Sequence, residues 1–254
     1  MFDLEEGDNK DVVYKDLIRM GEILNHYGMC HDISPISKAS EYCRKESDSV
    51  HWIYFLEKLS FNNNYIYAPS GTIPEGVKEI SIDISVIIKG KYANGTYIEN
   101  PIIEVDESLP YCFDLEISGI SHENSDLYCS WHFDKSFKSS ATKFLHPEFH
   151  WTFGGKKMEN KSIRVGSTFI IPAPRISHPP FDAILAIDYV IKHYIERELS
   201  ESLLEDSEYI RIVRRSQARL WRPYALSFAA HWLNQDGITF CEDFSAKTIF
   251  PELY

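Results

Sequence analysis

Between residues 11 and 26 the apolar positions Val13, Leu17, Met20 and Leu24 recur at spacings of four, three and four, with Ile18 and Ile23 widening the stripe. That period predicts an amphipathic helix. Trp52, Phe55, Leu56 and Leu59 fit a helical stripe too, behind the capping run Ser47-Asp48-Ser49 and ahead of the turn-forming Phe61-Asn62-Asn63-Asn64. A second helix is therefore expected there, and the stretch between, 37–44, admits a short third one. After the Pro and Gly punctuation of 68–76 the period changes to two. Ile80, Ile82, Ile84, Val86 and Ile88 share one face and Ser81, Asp83 and Ser85 the other, as in a half-buried strand. Asn94-Gly95 matches a tight hairpin turn, with 96–105 as the returning strand and Pro101 marking an edge or a bulge.

Further strands are expected over 111–120, with Phe113, Leu115 and Ile117 inward, over 127–133, with Cys129 and Trp131 inward, and over 149–153 and 163–171. Consecutive strand signals without an intervening helix favour an antiparallel meander over a doubly wound sheet. Helices resume at Ser177-His178-Pro179-Pro180-Phe181-Asp182, read as a helix start with Ser177 as the cap and a run to about Leu199. An acidic stretch, 196–208, then precedes a helix through Arg219, and Pro223 opens another that stops near Gly237. The expected fold is α+β in a single domain spanning 1–254, helical over 1–66, sheet over 77–172 and helical over 177–237.

Composition narrows the function classes. The 254 residues carry 26 Lys and Arg against 38 Asp and Glu, a net charge of -12, which excludes a strongly basic nucleic-acid binder as a description of the whole chain. A hydrophobic content of 44% supports a large core and excludes a disordered chain. The acidic start Met1-Phe2-Asp3-Leu4-Glu5-Glu6 reads as neither a signal nor a transit peptide, and the longest apolar stretch, 183–195, is too interrupted to span a membrane. Five cysteines without a Cys-x-x-Cys pair point to a reducing cytoplasm.

The densest chemistry lies in Trp131-His132-Phe133-Asp134 and, after a loop, His146-Pro147-Glu148-Phe149-His150-Trp151. If Trp131, Phe133, Phe149 and Trp151 face the core, strand alternation turns His132, Asp134, Glu148 and His150 to the opposite face. Paired strands would gather them into one polar patch. Such a patch could hold a divalent metal through His132, His146 and His150, or use His132, Asp134 and His150 catalytically. The plain alternative is the solvent face of an antiparallel sheet. In Pro172-Ala173-Pro174-Arg175-Ile176-Ser177-His178-Pro179-Pro180, Arg175 near a helix N-terminus would suit an anion, or pair with a nearby acid.

The Trp-His-x-Asp strand, the His-Pro-x-x-His segment with trailing Gly, and the Pro-x-Pro-Arg-x-x-His-Pro-Pro connection together resemble uncharacterised bacterial proteins with a His-x-His strand, among them the TumE family of toxin-antitoxin components. The resemblance covers about 127–194. It departs where those proteins alternate two histidines, because Glu148 and His150 stand there. It implies a place in a bacterial conflict system, such as phage or plasmid defence or a toxin pair.

Arg211, Arg215, Arg219 and Arg222 follow one another at four, four and three residues and form one helical stripe, with Arg214 beside it and Trp221, Tyr224 and Trp232 near it. The stripe could hold phosphates, or balance Glu196, Glu201, Glu205 and Glu208. The paired acids Asp114 and Glu116 suggest a metal nuclease, but no lysine follows at the alternate position. A Walker loop, a dinucleotide-binding glycine loop, a nucleophile elbow and a His-Glu-x-x-His motif are all missing from the sequence. The expectation drawn from these residues is a noncatalytic, cytoplasmic subunit of a bacterial defence-type complex, without a cofactor. It would dock protein partners, and possible nucleic acid within the complex, through Arg175, Arg211, Arg215, Arg219, Arg222, Trp221 and Tyr224. The alternative is a metal-dependent nuclease or toxin that uses the His/Asp cluster and a divalent metal.

Overall fold

The computed structural model describes residues 10–66, 77–92, 103–104, 109–136, 146–154, 156–159, 175–233, 246–251 and 253. The Asn94-Gly95 turn, most of the returning strand, the strand over 163–171 and the stop at Gly237 lie outside the described residues. The elements are α1 (Lys10–His26), α2 (Ser34–Glu46), β1 (His51–Ser60), β2 (Val77–Lys91), β3 (Cys112–Ser121), β4 (Asp126–Lys135), β5 (Phe149–Phe153), α3 (Lys156–Glu159), β6 (Ile176–Ser177), α4 (Ala183–Tyr194), α5 (Arg197–Leu204), α6 (Ser207–Trp232) and α7 (Ala246–Ile249), with a 3-10 turn at Asn63–Tyr65. The six strands lie side by side in chain order, each antiparallel to the next. The fold is α+β.

Period two sorts the sheet into two faces. On the inner face Ile84 pairs with Leu115, Val86 with Phe113, Phe113 with Phe133 and Phe133 with Trp151, all buried. That row packs into one apolar cluster with Val13, Leu17 and Met20 of α1, Ile187 and Val190 of α4, and Ile212 and Leu220 of α6. On the outer face Ser85 stands across from Asp114, Asp114 from His132, and Asp134 from His150. The loop entering α4 is tied down from the core: the Tyr111 hydroxyl donates to the Phe181 carbonyl and accepts from its amide, both at 2.8 Å, and the Trp221 indole donates to the Pro180 carbonyl at 2.8 Å.

Four expected elements differ. The helix expected to run to about Leu199 ends at Tyr194, and the acidic stretch after it carries a helix of its own, α5. The segment after Ser47 is the strand β1, not a helix. Trp52, Tyr54 and Leu56 alternate inward, and the aromatic and β-branched run His51-Trp52-Ile53-Tyr54-Phe55 suits a pleated surface. Asp48 does cap, but it caps a turn into the strand, accepting from the amides of Val50 and His51 at 2.6 Å. The edge strand fits closely enough that a Cβ on Gly90 would come within 2.3 Å of the Trp52 ring. The N-cap of α4 is Asp182 rather than Ser177, its carboxylate accepting from the Leu185 amide at 2.9 Å. Finally, Pro223 lies inside α6, because buried Leu220, Tyr224 and Ser227 continue the packed face on both sides of it. The helical stretch 37–44 is realised as α2.

Candidate metal centre

Three side chains converge where β4 ends and β5 begins. Asp134 and His150 are directly paired across the two strands, and His146 stands four residues before His150 on the approach to β5. One ligand atom from each lies within 4.8 Å of the other two. The Nε2 atom of His150 is 3.2 Å from Nε2 of His146 and 3.2 Å from Oδ1 of Asp134.

The proton positions follow from the partners. The Nδ1 atom of His150 is 3.1 Å from the Pro147 carbonyl, which can only accept. In the neutral ring Nδ1 therefore carries the proton, and Nε2 presents a lone pair to Asp134. Burial pushes the His150 pKa down, the Asp134 charge opposes that, and the neighbouring His146 ring and the Arg175 guanidinium disfavour a second positive charge there, leaving it at about 4. His146 is lowered as well, first by burial and then by Arg175. Its Nδ1 lies 2.9 Å from the Ser136 hydroxyl. Oδ1 of Asp134 is buried and accepts no hydrogen bond, so one carboxylate oxygen meets an unprotonated imidazole nitrogen with no proton between them. Tetrahedral ligands at ~2.0–2.1 Å from one ion stand about 3.3 Å apart. Two of the three separations, both 3.2 Å, match that geometry, and the third is within 4.8 Å.

The other oxygen of Asp134 belongs to a chain of charges along the outer face. His132 Nε2 is 3.1 Å from Asp134 Oδ2, and its Nδ1 is 2.6 Å from Asp114 Oδ1. Lys157 of α3 lies 3.1 Å from Asp114 and 2.5 Å from Glu116, which accepts at 2.7 Å from the Tyr128 hydroxyl. Burial alone would lower the His132 pKa, but its hydrogen bonds to Asp114 and Asp134 prevail and raise it to about 9. His132 is thus an imidazolium with both nitrogens engaged. Of the expected set His132, His146 and His150, the structure brings His146 and His150 together with Asp134 into a group that could hold a metal ion, while His132 spends both ring nitrogens on Asp114 and Asp134 and holds Asp134 in place from behind.

The remaining predicted residues separate from this centre. Glu148 turns away from it, its carboxylate 3.8 Å from Lys135 Nζ. Arg175 is not at a helix N-terminus. It immediately precedes β6, where Ser177 pairs with His150, and α4 begins only at Ala183. The arginine stripe is largely turned inward. Arg219 is buried, 3.3 Å from buried Asp182 and over the Trp52 ring at 5.5 Å. Arg215 clasps buried Asp16, and Arg211 pairs with Glu208 at 2.5 Å. Arg222 and Arg214 are exposed, Tyr224 is buried, and Trp221 is half-buried with its indole on Pro180.

Asp114, Lys157 and Ser136 had no role as supports of a histidine site in the sequence. The alternation of Asp114 with inward Phe113 and Leu115 was a usable signal for its face, whereas Lys157 arrives 41 residues after Glu116 and no local spacing announces it. The lysine missing from the alternate position is thereby supplied in space, as a counter-ion to both acids. In comparisons with protein-family models, with curated proteins and with solved structures, nothing matches this chain. Among the described residues no helix is long and apolar enough to cross a membrane.

Proposed function

We infer that the chain is a metal-dependent hydrolytic enzyme built on a divalent transition-metal site formed by Asp134, His146 and His150. The observation that carries this reading is the buried Asp134 Oδ1, which accepts no hydrogen bond and faces the unprotonated Nε2 of His150 at 3.2 Å. Two neutral imidazoles and a carboxylate are a donor set suited to zinc and related ions, and three protein ligands leave a position for water or substrate. An ion held there supplies Lewis acidity and lowers the pKa of water. The chain's own part is to fix the donors. Pro147 and Ser136 orient the two imidazoles, and His132, braced by Asp114, pins the far oxygen of Asp134.

The accessory-subunit reading draws on the missing catalytic motif, the many aromatics and the arginine stripe beside them; with Arg215 and Arg219 set against buried carboxylates, the stripe keeps Arg211, Arg214 and Arg222 as its outward cations. The metal reading fits the nuclease-or-toxin alternative and the bacterial conflict system that the sequence resemblance implies. A cytoplasmic location belongs to the same proposal, supported by the free thiols of Cys30, Cys43, Cys112 and Cys129. The test is elemental analysis of the purified chain, followed by zinc titration after chelation. One ion per chain in the wild type, lost in the doubly substituted His146→Ala, His150→Ala chain, is expected. Trace metal only, or equal uptake by both proteins, would sink the reading.

A further inference from the structure

An open cleft of about 440 Å³ runs beside the metal centre, lined by Arg175, Ile176, Ser177, Phe228, Phe250 and Leu253. Its volume is in the range of small-molecule sites. Two connections tie it to the centre. Ser177 on the cleft wall is the strand partner of His150, and the amide of Glu148, two residues before His150, donates at 2.8 Å to the Thr248 carbonyl of α7, just ahead of Phe250. The walls are mostly apolar. Phe228 of α6 and Phe250 meet at 4.7 Å between ring centres and form an aromatic side.

One group on this wall is out of keeping with the rest. The Nε atom of Arg175 is buried and donates to no acceptor. A guanidinium donor shut away from water without an acceptor is costly, and hydrogen bonds from a charged donor to an oxyanion are among the stronger ones. No ion pair of Arg175 with an acid occurs among the described residues, unlike Arg211, Arg215 and Arg219. Half-buried Arg175 thus lines the cleft with donor capacity to spare, beside a centre that would activate a substrate.

We propose that this cleft is the substrate pocket of the metal centre and that it takes a small organic anion, with the carboxylate or phosphate oxygens on Arg175 and an aromatic or aliphatic body against Phe228, Phe250 and Leu253. The assignment of the pocket to a substrate rests on the metal reading above. The anion-binding chemistry of the cleft does not, because its cation is Arg175 itself.

The experiment is calorimetric titration of the full-length chain, first metal-free after chelation and then zinc-loaded. The probes are benzoate, phenyl phosphate, inorganic phosphate and neutral benzamide. At least one aryl anion is expected to bind the metal-free chain saturably, at least tenfold tighter than inorganic phosphate or benzamide, and more tightly again with zinc present. Which aryl anion binds tighter assigns the head group as carboxylate or phosphate. Arg175→Gln should weaken that binding tenfold or more while zinc uptake is retained. Leu253→Ala, near the chain end, should weaken the aryl anions severalfold and leave inorganic phosphate unaffected. Absence of aryl-anion binding in both metal states, or wild-type affinity in Arg175→Gln, overturns the pocket. Aryl-anion binding that depends on Arg175 in a chain that takes up no zinc retains the anion site and overturns the metal reading instead.

Discussion

The arginine row of α6 and the histidine and aspartate row of β4 and β5 are both periodic sets of polar residues, and they end in opposite electrical situations. Along α6 the fold supplies the counter-charges: Asp182 for Arg219, Asp16 for Arg215 and Glu208 for Arg211. At the end of β4 the fold withholds one. Asp134 is answered on Oδ2 by His132, yet on Oδ1 it faces a nitrogen that has no proton to give. A buried polar group normally finds its partner within the protein. Where it does not, an external cation is the economical explanation, and that difference separates a set of residues that hold the fold from one poised to bind.

The sharpest way to break the comparison is to treat Arg219 as a binding residue. If it serves the fold, Arg219→Met leaves the fully buried Asp182 without a counter-charge, held by the Ser216 hydroxyl, at 2.5 Å, and the Leu185 and Ile184 amides. Removing one partner of a buried ion pair costs about 3–5 kcal/mol. Urea unfolding should therefore show a loss of that size, with zinc uptake by the folded protein unchanged. A loss under about 1 kcal/mol would mean that Arg219 carries little of the fold and is free for another role.

The pH dependence of the metal-free chain sharpens the other side. The pKa of His150 falls from 6.5 to about 4 on folding, so between those values the unfolded chain binds more protons than the folded one. Its contribution to stability is complete above pH 6.5 and is lost as pH falls toward 4, a change on the order of 3 kcal/mol for a buried imidazole. His132 has the opposite sign. Its pKa rises from 6.5 to about 9, so its contribution is complete below pH 6.5 and is lost as pH rises toward 9. Stability measured with chelator present should peak near pH 6.5. His150→Gln should flatten the acid limb and His132→Gln the alkaline one. An unchanged acid limb in His150→Gln would show that His150 is not held neutral by the fold.

Ligand linkage gives a comparable effect. Zinc at a hundred times its dissociation constant should stabilise the wild type by about 2.7 kcal/mol, since the unfolded chain scatters the three donors. Asp134→Asn should lose most of this shift in thermal unfolding, while Arg222→Gln keeps it. Equal shifts in the wild type and Asp134→Asn would place the zinc elsewhere.

Legibility followed the length scale of each interaction. The inner face of β2 was readable because alternation of Ile82, Ile84, Val86 and Ile88 is a local consequence of the pleat. The same rule turned His132, Asp134 and His150 to one side before any pairing was known. At β1 local reading failed, since Trp52, Phe55, Leu56 and Leu59 satisfy a helical spacing while Trp52, Tyr54 and Leu56 satisfy a strand, and pairing with β2 decides between them. The roles of Arg215 and Arg219 were hidden because their partners Asp16 and Asp182 lie 199 and 37 residues away. That His132 stands behind Asp134 rather than in the cluster with His146 and His150 depends on Asp114, on the neighbouring strand, which occupies the other nitrogen of His132.

The smallest effect tests whether any of the arginine row serves a partner. Arg211 is nearly half exposed and pairs with Glu208 one helical turn away, a surface contact worth about 0.2–1 kcal/mol. Arg222 and Arg214 are exposed. Substituting Arg211, Arg214 and Arg222 together by Gln should therefore cost no more than about 1 kcal/mol in urea unfolding. If these three cations meet phosphates, the logarithm of the affinity for duplex DNA should fall with the logarithm of salt at a slope of no more than about 2.7, from ~0.9 per contact. The triple substitution should then abolish that slope. With Arg215 and Arg219 committed to Asp16 and Asp182, a steeper slope would have to come from cations outside the row. A slope near zero in the wild type would leave α6 as a helix whose arginines answer the acids packed around them.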